Sequence, residues 1–303
     1  MSDIALGVTN FIRTDKLANL FKSIPTGVIG RVIVADNGNI KEKEKELYNR
    51  NWGFDVTILD LPYDSGIGLC RKQIASEVDE EYLLLLDNDM LFPSNFSHLI
   101  NIMESESDYG GVSGILLENG NIRGAGVNHN EIEIWGDLIL YLHNEEIPSP
   151  KLIDGAAVYS FDQIPQAGLF RTECFNAYIW DGGYQSLGEH KDFFVGQQKY
   201  GDWDFGVTPN VVIRHKPGGS AEYQNIITDN KRRKADRQLF LDSWEYDLVI
   251  YGESNWLEAV SEKGYSSLLS MVHKSLPMWA RWATLKPYRT VKPDLPRTLR
   301  PYD

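Results

Sequence analysis

Four consecutive leucines followed by two aspartates constrain this chain more than any other feature. Residues 81–92 have the sequence EYLLLLDNDMLF. A short apolar run without polar alternation is typical of a strand that is covered on both faces of a parallel sheet. Asp87 and Asp89 follow at once, and ligands of open α/β sheets bind at the carboxyl ends of the strands. The pattern predicts a parallel sheet with both carboxylates at its ligand-binding edge.

Asp87 and Asp89 are also candidate metal ligands. Two carboxylates this close repel each other, so a buried pair needs a cation or a proton. Adjacent carboxylate oxygens suit Mg²⁺ or Mn²⁺, and such ions commonly bind together with substrate phosphates. The alternative is a solvated Asp-Asn-Asp turn after the strand, because aspartates spaced by one residue are common by chance.

Composition argues for a soluble globular protein and against a nucleic-acid partner. The 303 residues are 42% hydrophobic and 24% charged, with a formal net charge of −13, whereas a nucleic-acid-binding surface is basic. A phosphate-bearing ligand remains compatible, because a divalent cation can reverse the local charge. Cys70 and Cys174 are the only cysteines, and no secretory signal or run of ~18 apolar residues is visible. We therefore expect a cytoplasmic protein.

Strands and helices alternate along the first 92 residues, which indicates a parallel, nucleotide-binding type of sheet. Strands are expected at 4–8, 31–35 and 54–59 and in the leucine run, with helices at 15–23, 41–48 and 67–78. Three of these strands lead directly into Asn or Asp. Further strands are expected at 111–117, 121–127, within 156–170 and at 207–213, followed by a charged helix at 231–247.

Several motifs follow one another in a recognisable order. They are the strand that ends in Thr9 and Asn10, the sequence VADNG at 34–38, DSGIGLCRKQIA at 64–75, the aspartate pair, an acidic motif around Glu189, and His215 after a late strand. In this order they resemble the GT-A fold glycosyltransferases of the family 2 type, which are inverting and use nucleotide sugars. The resemblance covers roughly residues 4–217.

The resemblance implies an α/β fold, a GT-A (Rossmann-like) mixed sheet flanked by helices. The GT-A domain would span 1–220, with a nucleotide-binding half at about 1–92 and an acceptor half at about 93–220. Residues 221–303 would form a helical C-terminal extension. The implied activity is metal-dependent transfer of a sugar from a nucleotide-diphosphate donor, with a UDP-sugar favoured, to a hydroxyl of a glycan or lipid-linked saccharide.

The resemblance also assigns roles to individual residues. Asp87, Asp89 and His215 would hold Mn²⁺ or Mg²⁺. The nucleotide sugar would be bound by residues at the strand ends and the following helix starts: Thr9, Asn10, Arg13, Asp36, Asp64, Gly68, Arg71, Asp87, Asn88 and Gly168. The acceptor would contact Trp180, Asp181 and Tyr184.

Elementary chemistry supports several of these roles and offers an alternative for each. Asp36 and Asp64 can accept hydrogen bonds from a uracil N–H or ribose hydroxyls, although Asp is also favoured in turns and helix caps. Gly66 and Gly68 precede or begin a helix, so their N–H groups can point at an anionic oxygen. Arg71 can hold a diphosphate or form a surface ion pair.

The base that deprotonates the acceptor hydroxyl is not fixed by the motif. Many relatives carry G-E-D-x-D/E-F, with the first Asp after the Glu as base. Here Glu189, His190, Lys191 and Asp192 occupy the motif, so the usual base position holds a histidine. Glu189, His190 and Asp192 are all chemically capable, and we favour Glu189 narrowly. Glu189 and Asp192 also suit the N-terminus of a helix.

Two other functions stay open. A non-catalytic nucleotide- or sugar-binding module is compatible with the histidine at the base position. A nucleotidyltransferase fits less well, because a glycine- and basic-rich phosphate loop would follow the first strand, where this chain has Asn10, Phe11, Ile12 and Arg13.

The tail from Tyr265 differs from the rest of the chain in charge. From Met271 onward, seven Lys and Arg residues face two acids. Trp279 and Trp282 lie among these basic residues, a composition that suits a helix at a membrane surface. A packed helix or a docking arm is the alternative, and Pro277 interrupts the helical pattern.

Overall fold

The leucine run lies inside a ten-stranded mixed sheet. The computed structural model describes residues 4–144, 148–254 and 275–291. The strands are β1 Ile4–Asn10, β2 Arg31–Asp36, β3 Asp55–Asp60, β4 Tyr82–Asp87, β5 Tyr109–Glu118, β6 Asn121–Gly124, β7 Asn128–Ile134, β8 Asp137–Asn144, β9 Lys151–Ile153, β10 Ala156–Ser160, β11 Gly168–Arg171, β12 Asp204–His215 and β13 Leu248–Ser254.

Helices cover the sheet and connect its strands. They are α1 Thr14–Ser23, α2 Glu42–Tyr48, α3 Ile67–Glu77, α4 Ser97–Ser105, α5 Glu189–Tyr200, α6 Ala221–Ile227, α7 Asn230–Trp244 and α8 Met278–Val291, together with a 3₁₀ helix at Thr172–Asn176. Every helix and strand expected within the first 92 residues is present, with ends that differ by one or two residues.

The strand order places the first four strands side by side. The order is β3-β2-β1-β4-β11-β5-β12-β10-β9, with β6 paired to β5. Strands β1 to β4 are mutually parallel, and the antiparallel β11 then separates β4 from β5. Thr9 lies opposite Asp87, and Asn10 lies opposite Asp36. The register therefore brings the polar ends of β1, β2 and β4 to one edge of the sheet.

Alternating leucines of β4 face two separate cores. Leu84 and Leu86 pack in the core formed with α1 and α4, while Leu83 and Leu85 pack in the core formed with α3 and α5. Both faces of the strand are thus covered by helices. This arrangement confirms the interpretation of the leucine run as a strand buried on both sides.

A second sheet was not expected from the sequence. It has three strands in the order β13-β8-β7. The hairpin of β7 and β8 occupies a region that the sequence analysis assigned no regular structure, because its strands mix polar and apolar residues. The parallel pairing of β13 with β8 also shows that the expected helical extension contains a strand, so the description of 221–303 as helical is wrong for Leu248–Ser254.

The structure describes only part of the remaining C-terminal tail. Residues 255–274 and 292–303, including part of the basic segment from Met271, lie outside the described residues. Within the described ranges, no helix has the length and apolar character that crossing a membrane requires.

Arg31 and Glu80 form a bidentate ion pair at the amino ends of the strands. Arg31 donates to Glu80 through Nε at 2.8 Å and through Nη2 at 2.7 Å. The pairing joins the start of β2 to the loop before β4. The hydrogen bonds from Arg31 are the main reason that the pKa of Glu80 lies below its usual value.

We predict that Glu80→Gln lowers the free energy of unfolding at pH 7 by about 1 kcal/mol, the range of a well-formed ion pair at a partly exposed site. Because the folded-state pKa is lowered, this stabilisation is present above the unfolded-state pKa and disappears as the pH falls through the folded-state value. Urea unfolding at pH 7 and pH 3 measures both points. Asp79→Asn is the control, since Asp79 is exposed and 3.9 Å from Arg31; a gap between wild type and Glu80→Gln that does not narrow between pH 7 and pH 3 would contradict the prediction.

Candidate active site

A buried hydrogen-bond network ties together the carboxyl ends of β1, β2 and β4. The Asn10 Nδ2 atom donates to Asp36 Oδ2 at 2.8 Å, and Asn88 Nδ2 donates to Asn10 Oδ1 at 2.7 Å. The Tyr48 hydroxyl donates to the same Asp36 oxygen, and the Gly38 N–H donates to Asp36 Oδ1 at 2.8 Å. The network fixes three predicted donor-site residues at the sheet edge.

A cleft of about 570 Å³ opens beside this network. Its walls carry four cationic side chains (Arg13, Lys16, Lys41 and Lys43), four acidic ones (Asp15, Asp36, Glu44 and Glu222) and the ring of Tyr63. A cleft of this size with a few placed polar groups is typical of a small-molecule site. It lies at the ligand-binding edge that the sequence predicts.

Asp89 and His215 meet at the rim of the same edge. The His215 Nε2 atom is 3.3 Å from Asp89 Oδ2, and His215 Nδ1 is 2.7 Å from Glu118 Oε2. Arg13 donates to Asp89 Oδ2 at 2.5 Å, and its guanidinium lies 4.1 Å from the centre of the Tyr223 ring. Asp89 and His215 are therefore adjacent although they are far apart in sequence. The family resemblance implies this proximity.

Neighbouring charges outweigh burial in setting the pKa values of this pair. Burial opposes the charged form of Asp89, but its contacts with His215 and Arg13 dominate and lower its pKa. Burial also opposes the charged form of His215, while its contacts with Asp89 and Glu118 raise its pKa. Asp89 thus remains a carboxylate that can bind a cation.

The fit to a divalent metal is partial. Asp89 supplies a carboxylate oxygen, and His215 supplies an imidazole nitrogen. The other ring nitrogen of His215 contacts a carboxylate, which is a common arrangement for metal-ligating histidine. Asp87 instead faces Arg71. Within the part of the chain that the structure describes, no group of three or more His, Cys, Asp or Glu side chains is arranged to hold a metal ion. Two of the three predicted ligands therefore converge.

Arg71 links the aspartate motif to the acidic motif of α5. Its guanidinium is buried, with Nη2 3.1 Å from Asp87 Oδ1 and Nη1 3.1 Å from Glu189 Oε1. Gln166 Nε2 donates to the same Glu189 oxygen at 2.7 Å. Burial raises the pKa of Glu189 and the charge of Arg71 opposes that rise. A buried carboxylate with a raised pKa is a candidate general base.

Asp192 is surrounded by hydrogen-bond donors of the protein. This environment argues against the expectation that Asp192 is a candidate base. Its carboxylate is fully buried and accepts hydrogen bonds from Tyr178 Oη at 3.0 Å, Tyr184 Oη at 3.2 Å and Trp244 Nε1 at 2.9 Å. These three donors use the oxygens that a base would need for the acceptor. The carboxylate instead joins α5 to the loop before it and to α7.

His190 lies next to Glu189 but faces protein. Its ring packs edge-to-face on Phe194, with 5.1 Å between ring centres. Burial, followed by the charge of Arg71, lowers its pKa well below the usual value. The ring is therefore neutral at physiological pH, and its role in catalysis stays a prediction.

The expected acceptor platform is part of the core, which corrects the roles of Trp180 and Tyr184. Trp180 is 1% exposed and stacks on Phe193 with 4.2 Å between ring centres. Tyr184 is fully buried. Neither ring offers a face to a sugar. The half-buried Asp181 remains a predicted acceptor contact.

Gly68 and Gly168 serve close packing of the chain, and their contacts with the donor stay a prediction. A Cβ atom on Gly68 would lie 2.3 Å from the Asp181 carbonyl oxygen, and one on Gly168 would lie 2.9 Å from that of Val112. The N–H groups of Ile67 and Gly68 donate to the carbonyls of residues 185 and 184. The start of α3 is thus capped by the 181–187 loop and not open to an anion.

Asp64 is held by a residue that the sequence analysis did not consider. Arg232 of α7 donates to both carboxylate oxygens of Asp64, with 2.8 Å for the Nη1 contact. Four residues further on, the buried Asp236 accepts backbone hydrogen bonds from residues 185–187. Arg232, Asp236, Phe240 and Trp244 are spaced by four residues and therefore lie on one helix face. This periodicity could have identified the buried face of α7 from the sequence, but the high charge of the helix obscured it.

Comparison with solved structures identifies the fold. GalNAc-T7, crystallised with UDP, GalNAc and Mn²⁺, aligns with a TM-score of 0.53 and 13% identity over 80% of this chain and 54% of that one. Residues 1–349 of TarS from S. aureus align with a TM-score of 0.50 and 13% identity over 97% and 76%. The fold is that of the GT-A glycosyltransferases, as the motif order implies.

The chain spans about half the length of the GalNAc-T7 structure that it matches. No family model matches the sequence, and no curated protein does. The arrangement of the site residues therefore carries the functional argument.

We predict that Asp192→Ala lowers the free energy of unfolding by about 2–4 kcal/mol, because three buried donors lose their acceptor. Asp192→Asn retains one acceptor oxygen and should be less destabilising. Urea unfolding measures both variants. If Asp192 were the base instead, Asp192→Asn would fold normally and lose nucleotide-sugar turnover entirely.

Proposed function

We propose that the protein is an inverting glycosyltransferase of the hexosyltransferase type. It would move a sugar from a nucleotide-diphosphate donor, with a UDP-sugar favoured, to a hydroxyl of a glycan or lipid-linked saccharide. The observation that carries this proposal is the buried Arg71, whose guanidinium contacts both Asp87 of the aspartate motif and Glu189 of the acidic motif. It joins a donor-side carboxylate to a candidate base.

The cleft supports binding of the nucleoside part of the donor. Tyr63 adds an exposed aromatic ring to the wall, and the buried Asp36, whose oxygens already accept hydrogen bonds from Asn10, Tyr48 and Gly38, would support the nucleoside site through these neighbours. Arg13 contacts both the cleft and Asp89. A diphosphate would extend from this cleft along the strand ends toward Asp87, with Thr9 and Asn88 on the adjoining strand ends.

Asp89 and His215 would hold a divalent cation, Mn²⁺ or Mg²⁺. When bound, the cation neutralises negative charge that develops on the leaving diphosphate. Because Arg13 contacts Asp89, the guanidinium would share this carboxylate or move to a phosphate. The crystallisation of GalNAc-T7 with Mn²⁺ supports divalent metal use within this fold.

Glu189 would act as the general base. Its carboxylate takes the proton of the acceptor hydroxyl, the hydroxyl oxygen forms a bond to the anomeric carbon, and the bond from that carbon to the diphosphate oxygen breaks. Attack opposite the leaving group inverts the anomeric configuration. Arg71 and Gln166 hold the carboxylate in place on its protein side.

A non-catalytic nucleotide- or sugar-binding module is the second candidate. His190, at the position of the usual base, favours it. Calorimetric titration with UDP and Mn²⁺, followed by an assay for UDP release from UDP-hexoses and UDP-N-acetylhexosamines, separates the two. Binding without release of UDP from any donor in the panel would support the module.

We predict that Asp89→Ala lowers UDP release by at least about 100-fold, the usual cost of removing a main electrostatic group from an active site. It should also abolish any increase in UDP affinity that Mn²⁺ brings, measured by calorimetry without turnover. Asp55→Ala is the control, because Asp55 is an exposed carboxylate at the opposite end of β3. Full UDP release and Mn²⁺-dependent binding by Asp89→Ala would refute the assignment.

We further propose that a cytoplasmic location and peripheral membrane contact accompany this activity. Trp135 is 73% exposed at the tip of the β7-β8 hairpin, and Trp279 is 58% exposed on α8. Trp282 packs against Trp135 with 4.7 Å between ring centres. Trp279 and Trp282 lie on the same helix, in a part of the sequence where Lys and Arg outnumber acids from Met271 onward. Tryptophan with basic residues suits a membrane interface.

We predict that the double variant Trp135→Ala/Trp279→Ala loses binding to vesicles that contain anionic lipid, because exposed aromatic rings provide the apolar part of such contacts. Vesicle flotation of the full chain measures the bound fraction. Leu152→Ala is the control, since Leu152 is 77% exposed on β9, an edge strand of the other sheet. Equal flotation of the double variant and the wild type would rule out this membrane contact.

A further inference from the structure

A single buried carboxylate organises the loop before α5. Asp236 is 2% exposed. Its Oδ1 atom accepts from the Gln185 N–H at 2.9 Å, and its Oδ2 atom accepts from the Ser186 N–H at 2.8 Å, the Ser186 hydroxyl at 2.9 Å and the Leu187 N–H at 3.0 Å. Hydrogen bonds to an ionised acceptor are about twice as strong as neutral ones. Four such bonds fix three consecutive residues.

The fixed loop leads directly to Glu189. Only Gly188 separates Leu187 from the first residue of α5. Gly188 has a φ of 98°, a conformation that residues with a Cβ atom rarely adopt, and an added Cβ would lie 2.9 Å from the Tyr184 ring. The path from the Asp236 carboxylate to the Glu189 backbone is therefore short and conformationally restricted.

The same loop is braced against the helix that carries Arg71. The Ile67 N–H donates to the Gln185 carbonyl at 3.3 Å, and the Gly68 N–H donates to the Tyr184 carbonyl at 3.0 Å. Arg71 lies one turn further along α3. The loop thus connects the backbone on both sides of the Arg71–Glu189 contact.

Helix α7 contacts this region at three points on one face. Arg232 holds Asp64 ahead of α3, Asp236 holds the 185–187 loop, and Trp244 donates to Asp192 within α5. Phe240 fills the core between the last two. Asp236 is the contact nearest in sequence to the candidate base.

We propose that Asp236 is a positioning residue that sets the geometry of Glu189 against Arg71. This inference rests on the proposed role of Glu189 as the base. Asp236 does not touch the reacting atoms; it acts through the 185–187 backbone and Gly188.

The negative charge of Asp236 also acts on Glu189 through space. Burial is the largest cause of the raised pKa of Glu189, the charge of Arg71 from α3 opposes it, and Asp87 from β4 adds to it. A backbone hydrogen bond lowers this pKa, and Asp236 from α7 makes the smallest contribution that raises it. Gln166 contributes a neutral hydrogen bond. Removal of the Asp236 charge therefore lowers the pKa of Glu189 and extends the range of the active carboxylate to lower pH.

The test uses Asp236→Asn in the full chain, with hydrolysis of the best UDP-sugar of the panel as the assay. We expect kcat to fall by about 10- to 100-fold, as for small displacements of a catalytic group. The donor KM should stay within about twofold, because the cleft is not altered. The acidic limb of the kcat profile should move to lower pH. A purely structural role would leave that limb in place.

Two control variants lie on the same helix. Asp242→Asn removes an exposed carboxylate that accepts a hydrogen bond from Gln238, and it should leave kcat, KM and the pH profile unchanged. Arg232→Gln releases Asp64 on the donor side, and it should raise the donor KM without moving the acidic limb.

Ser186→Ala keeps the test decisive if Asp236→Asn fails to fold. It removes only the hydroxyl hydrogen bond to Asp236, so kcat should fall by about fivefold, the equivalent of one hydrogen bond, with an unchanged donor KM. Wild-type kcat in folded Asp236→Asn, or in Ser186→Ala if the former is unfolded, would overturn the proposal.

Glu189→Gln separates this inference from the proposed function. If Glu189→Gln retains wild-type turnover, the assignment of the base is wrong and the positioning role falls with it. If Glu189→Gln is inactive and Asp236→Asn is fully active with an unmoved pH profile, only the positioning role is wrong.

Discussion

The buried guanidinium of Arg71 is the interaction on which the site depends. A charge removed from water is tolerated only when opposite charges and hydrogen bonds compensate it. Arg71 is 3% exposed and receives that compensation from Asp87 of β4 and Glu189 of α5. Loss of either carboxylate would leave a buried charge partly unpaired. The requirement to pair this cation therefore brings the aspartate motif and the acidic motif together across more than 100 residues of sequence.

Helix α7 also holds parts of the site together through buried contacts. The sequence divides at residue 220 by motif content, yet α7 lies beyond that point and holds Asp64, the 185–187 loop and Asp192. Strand β13, which also follows residue 220, pairs with β8 of the preceding segment. The segment after the GT-A motifs is thus part of the support for the site, and its removal would release the loop before α5.

Much of the fold could be predicted because local pattern and burial agree in the first 92 residues. The leucines of β4 are apolar on both faces because helices cover both faces, and the strand ends carry Asn10, Asp36 and Asp87 because the register aligns them. The β7-β8 hairpin escaped prediction for the opposite reason. Its polar residues are mixed with apolar ones that pack against residues of α7 and β13, which lie far along the sequence.

Residue roles were less predictable because one side chain suits several environments. An aromatic ring such as Trp180 packs as well in a core as on a sugar, and only its burial among Phe170, Phe175 and Phe193 decides between them. A glycine such as Gly68 permits close approach by a ligand or by the chain itself, and here the Asp181 carbonyl takes the place. These choices are made by tertiary contacts that local sequence does not encode.

Charge balance at the sheet edge bears on how a diphosphate could bind there. Arg13 and Arg71 supply two positive charges, whereas Asp87, Asp89, Glu118 and Glu189 are four carboxylates within the same chain of contacts. Even with His215 protonated, the cluster has no positive excess to offer an anion. Added phosphate charge would be repelled unless a cation accompanies it. Under the proposed function, the balance of these side chains favours a donor that arrives with a divalent ion, and Arg13 would be the cation that stabilises Asp89 between donors.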